Sequence, residues 1–516
     1  MKRILPVLFA LLTVFAVGAQ EFTIVNGAEP ASLDPHYVES VPDHRIYQAL
    51  FEGLTITDPK TNRAIGGLAE KWSFSKDNKT VTFNLRKNAV WSDGVKITAD
   101  TVVKSWLRKM DPKNAFQYAD LCANAIVGGA EYMTGKAGPE GVKIVAKDAS
   151  TFVVTLVNPT PHFADMVAHY AFAVVPIHAI EKNGADWIKP GKFVGNGPFV
   201  LEDWKPQEKV TVVANAKYWD AKNVKLKKIT FLPIDDLNTA WNLYKSGGAD
   251  WVDTIPAELK DEIKLRKDFH EAPEYGTYYY IINTKRKPLD NADVRKALAM
   301  SFDKKELTAN VSKTGVPANS FVPPSSGYVP AKGFGFNPEE AKKLLAKAGY
   351  PDGKGFPAFQ ILYNTSSSHK RIAEYIQAQW KTVLGIDVSL VNQEFTTYLD
   401  TRSQSHDFDI ARAGWIADYL DPSTFSDMWI TGSTQNDGQY SNPKYDELIK
   451  KAAGQIGDAR LKTMAEAEKV LIDQDMAIIP IYFYTTQNVI DLTKWDGWYA
   501  NPMNSHPWKF VGPKKK

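Results

Sequence analysis

Cysteine is almost missing from this chain: among 516 residues only Cys122 carries a thiol. One cysteine cannot close an intramolecular disulfide and cannot build a paired-cysteine metal motif, so burial and hydrogen bonding must hold the fold. Charge of one sign is missing as well. Lys and Arg number 62 against 59 Asp and Glu, a balance that disfavours nucleic acid and anionic membrane surfaces as partners. Local signatures of catalysis are absent too: no P-loop, no HExxH and no GxSxG occurs. His162, Asp165 and His169 could share one helical face, yet nothing in sequence supplies a fourth ligand, so no metal is assigned. A triad assembled only in space stays open, with His369 or His169 as its base.

The chain begins with a charged pair, Lys2 and Arg3, an apolar run, and the small residues Val17, Gly18 and Ala19. That is the pattern of a secretory signal over residues 1–20, cleaved near Ala19, because the run falls short of the roughly 20 residues a spanning helix needs. An exported, soluble mature chain starting near Gln20 or Glu21 is expected. Losing Lys2 and Arg3 leaves 60 basic against 59 acidic residues. No cysteine follows the signal to accept a lipid, which suits a protein retained in a periplasm. At 44% hydrophobic composition the chain can build more than one core, and its length predicts two to four domains.

Periodicity supplies the elements. Val81, Phe83 and Leu85 alternate as a strand, and Thr98 caps a helix whose face is Val102, Val103, Trp106, Leu107 and Met110, stopped at Asp111-Pro112. Pro338 sits in the first turn of a second helix, with Ala341, Leu344, Leu345 and Ala348 on one face and Gly349 at its end. A strand at 359–363, a helix from 368 and a strand at Val388 and Leu390 form a βαβ unit in a parallel sheet. A further strand at 407–412 would place Gly414 to Asp418 beyond its carboxyl end, where ligands of open α/β sheets sit. There Arg412 shares a face with Phe408 and Ile410, and Asp418 lies among apolar neighbours, where a lone carboxylate is costly to bury. The run Tyr278-Tyr279-Tyr280 is hard to place entirely inside, since each hydroxyl needs a partner.

Several stretches together resemble one family. They include NGAEPASLDPH (26–36), LFEGL (50–54), LRKNAVWSDG (85–94), GNGPF (195–199), YYYIINT (278–284), EAKKLLAKAGYPDG (340–353), LYNTSSSHK (362–370), LVNQEF (390–395) and ARAGWIADY (411–419). In this order they are similar to the solute-binding receptors of peptide ABC importers, the periplasmic oligopeptide-binding proteins. The resemblance implies an α/β, two-lobed periplasmic-binding-protein fold with ligand enclosed between the lobes and an additional inserted α+β domain. Domain I would take 21–51, 178–275 and 485–516, domain II 52–177, and domain III 276–484. Hinge closure would then enclose the ligand.

The same resemblance implies roles. Asp418 would receive a peptide's N-terminal ammonium, and Arg412, His369, Lys313 and Arg402 the C-terminal carboxylate of peptides of different length. Glu39, Ser40 and Val41 would pair with the peptide main chain, while Trp415, Phe395, Tyr118, Tyr279 and Gly414 would wall the site. The segment WVDTIP (251–256) departs from the family pattern and stays unassigned. Expected, therefore, is a monomeric, non-enzymatic receptor without cofactor that captures short peptides and delivers them to an inner-membrane ABC permease. Left open are a same-fold receptor for a dipeptide, haem, a metal chelate or an oligosaccharide, and an exported hydrolase.

Overall fold

Alternation places Val81, Phe83 and Leu85 on the buried face of a strand, Thr80–Leu85, inside a four-stranded antiparallel sheet with Ala69–Phe74, Thr151–Thr155 and Ile144–Ala146. Against it packs the helix Ala99–Met110. Thr98 caps that helix reciprocally with Thr101, while Trp106 buries its ring against Phe152 and Phe172. A computed structural model describes residues 20–325 and 327–515 of the chain. The signal segment expected at 1–20 lies outside the described residues, Gln20 excepted.

The largest sheet has 11 strands and two halves of different character. On one side Glu21–Val25, Lys228–Leu232, Lys209–Ala214 and Phe199–Lys205 lie in order, the first pair parallel and the rest antiparallel. On the other, Val388–Gln393 and Phe359–Asn364 pair in parallel through the helix Ser367–Leu384, the βαβ unit the sequence predicts. Two long strands join the halves: Phe269–Ile282, 14 residues, and Ile478–Ile490, 13 residues. At about 3.3 Å per residue each runs some 40 Å, enough to serve both halves. Their ladder is irregular between Pro273 and Thr277. The domain limits expected at 275/276 and 484/485 fall inside these two strands.

Two expectations need correction. The strand expected at 407–412 is Ile410–Ile416, so Gly414 and Trp415 continue it and only Ala417 and Asp418 lie beyond. Its register explains the shift, because all seven residues pair antiparallel with the 269–282 strand, Arg412 opposite Tyr280 and Ile416 opposite Gly276. Tyr278, Tyr279 and Tyr280 are all fully buried, held between those neighbours. The Tyr278 hydroxyl meets His369 Nδ1 at 3.4 Å, whereas the Tyr280 hydroxyl finds no partner among the described residues. Nor is any helix there long and apolar enough to cross a membrane.

Candidate functional site

Between the two halves lies a cavity of about 700 Å³. The half bearing the Glu21–Val25 strand contributes Glu39, Ser40, Val41, His44 and Arg45; the half bearing Ile410–Ile416 contributes Asn364, His369, Phe395, Arg412 and Asp418. Tyr118, His169 and Tyr170 reach it from the inserted segment. The through-strands form its floor with Glu274, Tyr484 and Gln487.

Strand geometry sets the charged residues. Arg412 is half-buried on the cavity face, its Nη1 3.3 Å from Asn364 Oδ1, its Nη2 3.1 Å from the Tyr484 hydroxyl, and its guanidinium over the Tyr278 ring at 4.8 Å. No carboxylate among the described residues pairs with it. Asp418, just past the strand end, has no lysine or arginine partner there either. Its Oδ1 lies 3.1 Å from His169 Nε2 and its Oδ2 accepts from the Thr424 hydroxyl at 3.2 Å. Because His169 Nδ1 accepts the amide N–H of Ala171 at 3.3 Å, that ring carries its proton on Nε2 and donates it to Asp418 as a neutral imidazole.

The main chain between them has a free edge. The Phe359–Asn364 strand covers only Ile410 and Ala411. Ala417 N–H donates inward to Tyr275 O, while Arg412 O accepts from the Tyr398 hydroxyl on the outer side, so by alternation Gly414 and Ile416 turn their amide and carbonyl groups toward the cavity. Gly414 is required by packing: a Cβ there would stand 2.3 Å from the Tyr484 oxygen and 3.2 Å from Arg412 Nη2.

Other expected site residues divide. Trp415 stacks near-parallel on Tyr118, centroids 6.3 Å apart, and donates its Nε1 to Thr424. Tyr279 is wedged against Phe321 and Trp429 and touches the cavity, as does half-buried Phe395 at the start of the Phe395–Asp400 helix. Ser40 is extended, with φ −134° and ψ 163°, and caps the Val41–Leu50 helix; Glu39, Ser40 and Val41 all line the cavity. His369 is no cation here, since burial and then the charge of Arg412 hold its imidazole well below the ordinary value. Arg402 lines the cavity with its charge already matched, Nε 2.5 Å from the buried Asp437. Lys313 lies outside the lining; a φ of 51° turns the chain there and its Nζ pairs with Asp261 at 3.0 Å.

His162, Asp165 and His169 do not gather. His162 stacks on Tyr419, Asp165 takes Arg63, and only His169 faces the cavity. Among the described residues no group of three potential ligands could hold a metal ion. Sequence reasoning weighed His169 as a metal ligand, assigned no metal, left a base role open, and missed its contact with Asp418, which joins residues far apart in the chain.

A cavity between two lobes, joined by a pair of through-strands and lined by opposite charges at separate points, defines a two-lobed solute-binding protein. The chain belongs to the bacterial extracellular solute-binding proteins, family 5, whose middle region matches residues 63–437. It is 37% identical over 496 residues to the periplasmic oligopeptide-binding protein OppA of Escherichia coli, covering 93% of this chain and 90% of that one. A Haemophilus influenzae OppA complex with the peptide RPPGFSPFR superposes with a TM-score of 0.90 at 34% identity, over 96% of this chain and 99% of that one. The murein tripeptide-binding protein MppA of Escherichia coli matches at 0.91 and 34% identity, over 97% and 99%. The unliganded open form of MppA matches at only 0.66, over 96% and 98%. The lobes here are thus not arranged as in that open form.

Proposed function

We propose that this chain is a periplasmic receptor that encloses short oligopeptides of two to five residues and delivers them to an inner-membrane ABC permease. One observation carries the reading: the cavity between the two halves holds Asp418 without a cationic partner and Arg412 without an anionic one, and the two do not pair with each other. A peptide zwitterion supplies both missing charges, its ammonium to Asp418 and its carboxylate to Arg412, as charge-assisted hydrogen bonds. His369 joins as a neutral hydrogen-bonding group. Between the ends, Gly414 and Ile416 offer main-chain groups to an added strand, with the extended Glu39 to Val41 segment opposite. That pairing reads no side chain.

The relatives support the reading, since their names place them in the periplasm and give them oligopeptides or murein peptides as ligands. Domains I, II and III as read from the sequence give the hinge, with breaks inside the two through-strands. The protein acts as a monomer and binds without turnover: His169 has both nitrogens committed, and His369 faces Tyr278. Micromolar affinity, about −8 kcal/mol, is within reach of two terminal charge contacts plus strand pairing.

Native mass spectrometry of the protein as purified, followed by identification of what denaturation releases, tests this directly. Short peptides with free termini are expected. Release of a haem, a sugar or a metal chelate instead, or hydrolysis of added peptides, would overturn it.

A further inference from the structure

The terminal contacts leave the wall around residues 251–256 without a task, and the charge of the cavity is lopsided. Eight carboxylates and three guanidiniums line it, with no lysine, although the whole chain is nearly neutral. Much of that excess is engaged. Glu29 accepts from Trp204 and Gln207, Glu394 caps the Phe395–Asp400 helix, and Asp437 holds Arg402. Three lining carboxylates, Glu39, Asp235 and Glu274, make no hydrogen bond and no ion pair among the described residues; of these Glu274 lies on the floor, under the charge of Asp253.

The charges acting on Glu274 are Asp253 and Arg45. Those two form an ion pair, so Arg45 is already matched and one negative charge is left over. Gln487 completes the wall. Val252 pairs with Val489 and Glu271 with Gln487, so the Ile478–Ile490 strand carries Gln487 between the Asp253 segment and the Glu274 segment. Only 7% exposed, its side chain makes no hydrogen bond among the described residues although it lines the cavity. The unpaired Glu274 carboxylate calls for a ligand group that donates and is positive, while the buried Nε2 of Gln487 is a donor left for an acceptor of the same ligand.

We propose that Glu274, with Asp253 and Gln487, forms a side-chain subsite for lysine or arginine, so that peptides carrying a basic residue are the preferred ligands. This rests on the peptide-receptor reading above. An ammonium or guanidinium here donates to Glu274 and balances the surplus charge, which a neutral side chain cannot do. Burial, and then the charge of Asp253, push the empty Glu274 up to about 8. A cation in the subsite opposes both effects, so a basic peptide releases a proton as it binds near neutral pH.

Calorimetry on the full chain, freed of ligand by dialysis from denaturant and refolded, tests this with tri- and tetra-alanine peptides carrying lysine or its uncharged analogue norleucine at each position in turn. At one position lysine should bind at least about tenfold more tightly than norleucine. Glu274→Gln should bring that ratio to about one, and Asp253→Asn should reduce it. If wild type binds these peptides with a ratio within about twofold at every position, the subsite is wrong and the receptor reading stands. Failure to bind any of them overturns both. Should Glu274→Gln not fold, the wild-type ratios and Asp253→Asn still decide.

Discussion

Across the cleft, His169 Nε2 meets Asp418 Oδ1 at 3.1 Å, although 249 positions separate the two residues in the chain numbering. The imidazole comes from the segment packed on the inserted sheet and the carboxylate from the end of the Ile410–Ile416 strand. The contact therefore bridges the two halves. The Asp418 carboxylate is held at both oxygens, by His169 at one and by the Thr424 hydroxyl at the other.

Replacing Asp418 by Ala removes the anion proposed to meet the peptide amine. Affinity for free-amine peptides should fall by about 2–5 kcal/mol. Acetylating the peptide amine should weaken wild-type binding by a similar amount and the variant's little further. Titration calorimetry with the four combinations reads the coupling, and additive losses would exclude a shared contact.

On the proposed reading His169 acts through Asp418, so its role is positioning. His169→Ala should weaken binding of free-amine peptides by about 1–2 kcal/mol, with little effect on acetylated ones. His169→Gln, which keeps a donor of similar reach, should recover part of the loss. Equal losses for both peptide types would mark a packing defect instead.

Gly414→Ala tests the seat of Arg412. The added methyl must push the Tyr484 hydroxyl or the guanidinium away, at a cost of about 1–3 kcal/mol in stability. Binding of peptides whose carboxylate reaches Arg412 should weaken, whereas C-terminally amidated peptides should lose less. Denaturant melts and binding curves on the same preparation separate the two effects.

Glu274 also makes a prediction about pH. Its folded value of about 8 stands above the ordinary 4.5 of a glutamate, through burial and then the charge of Asp253, with Arg45 opposing. The folded state thus binds more protons than the unfolded one between those values, and stability is lost as pH rises from about 4.5 to about 8. Glu274→Gln has no such titration. Its advantage over wild type should grow by about 1–4 kcal/mol from pH 5 to pH 8 in ligand-free protein. A constant difference across that range would show that Glu274 stays ionised in the fold.

Local rules made much of the architecture legible. Thr98 and Asn337 cap their helices, and the alternating Val81, Phe83 and Leu85 face a core. The strand 359–364, helix 367–384 and strand 388–393 pair as a βαβ unit does. Such features depend on neighbours a few positions apart, which sequence displays. Where the strand around Arg412 would end was not legible, because seven cross-strand pairs with residues 276–282 carry it through Gly414 and Trp415. The three buried tyrosines yielded to the same force.

By itself, then, the sequence determined the chemical kinds available: one thiol, balanced charge, helices and strands with their caps, and an arginine and an aspartate six positions apart in apolar company. The tertiary structure alone decided which charges are spoken for. Asp437 removes Arg402 from play, Asp261 holds Lys313 outside, and Asp253 takes Arg45. Arg412, Asp418 and Glu274 are among those left without a Lys, Arg or carboxylate partner around one cavity. Coulomb interaction depends on distance and burial in space, and residues hundreds of positions apart meet only when the chain has folded.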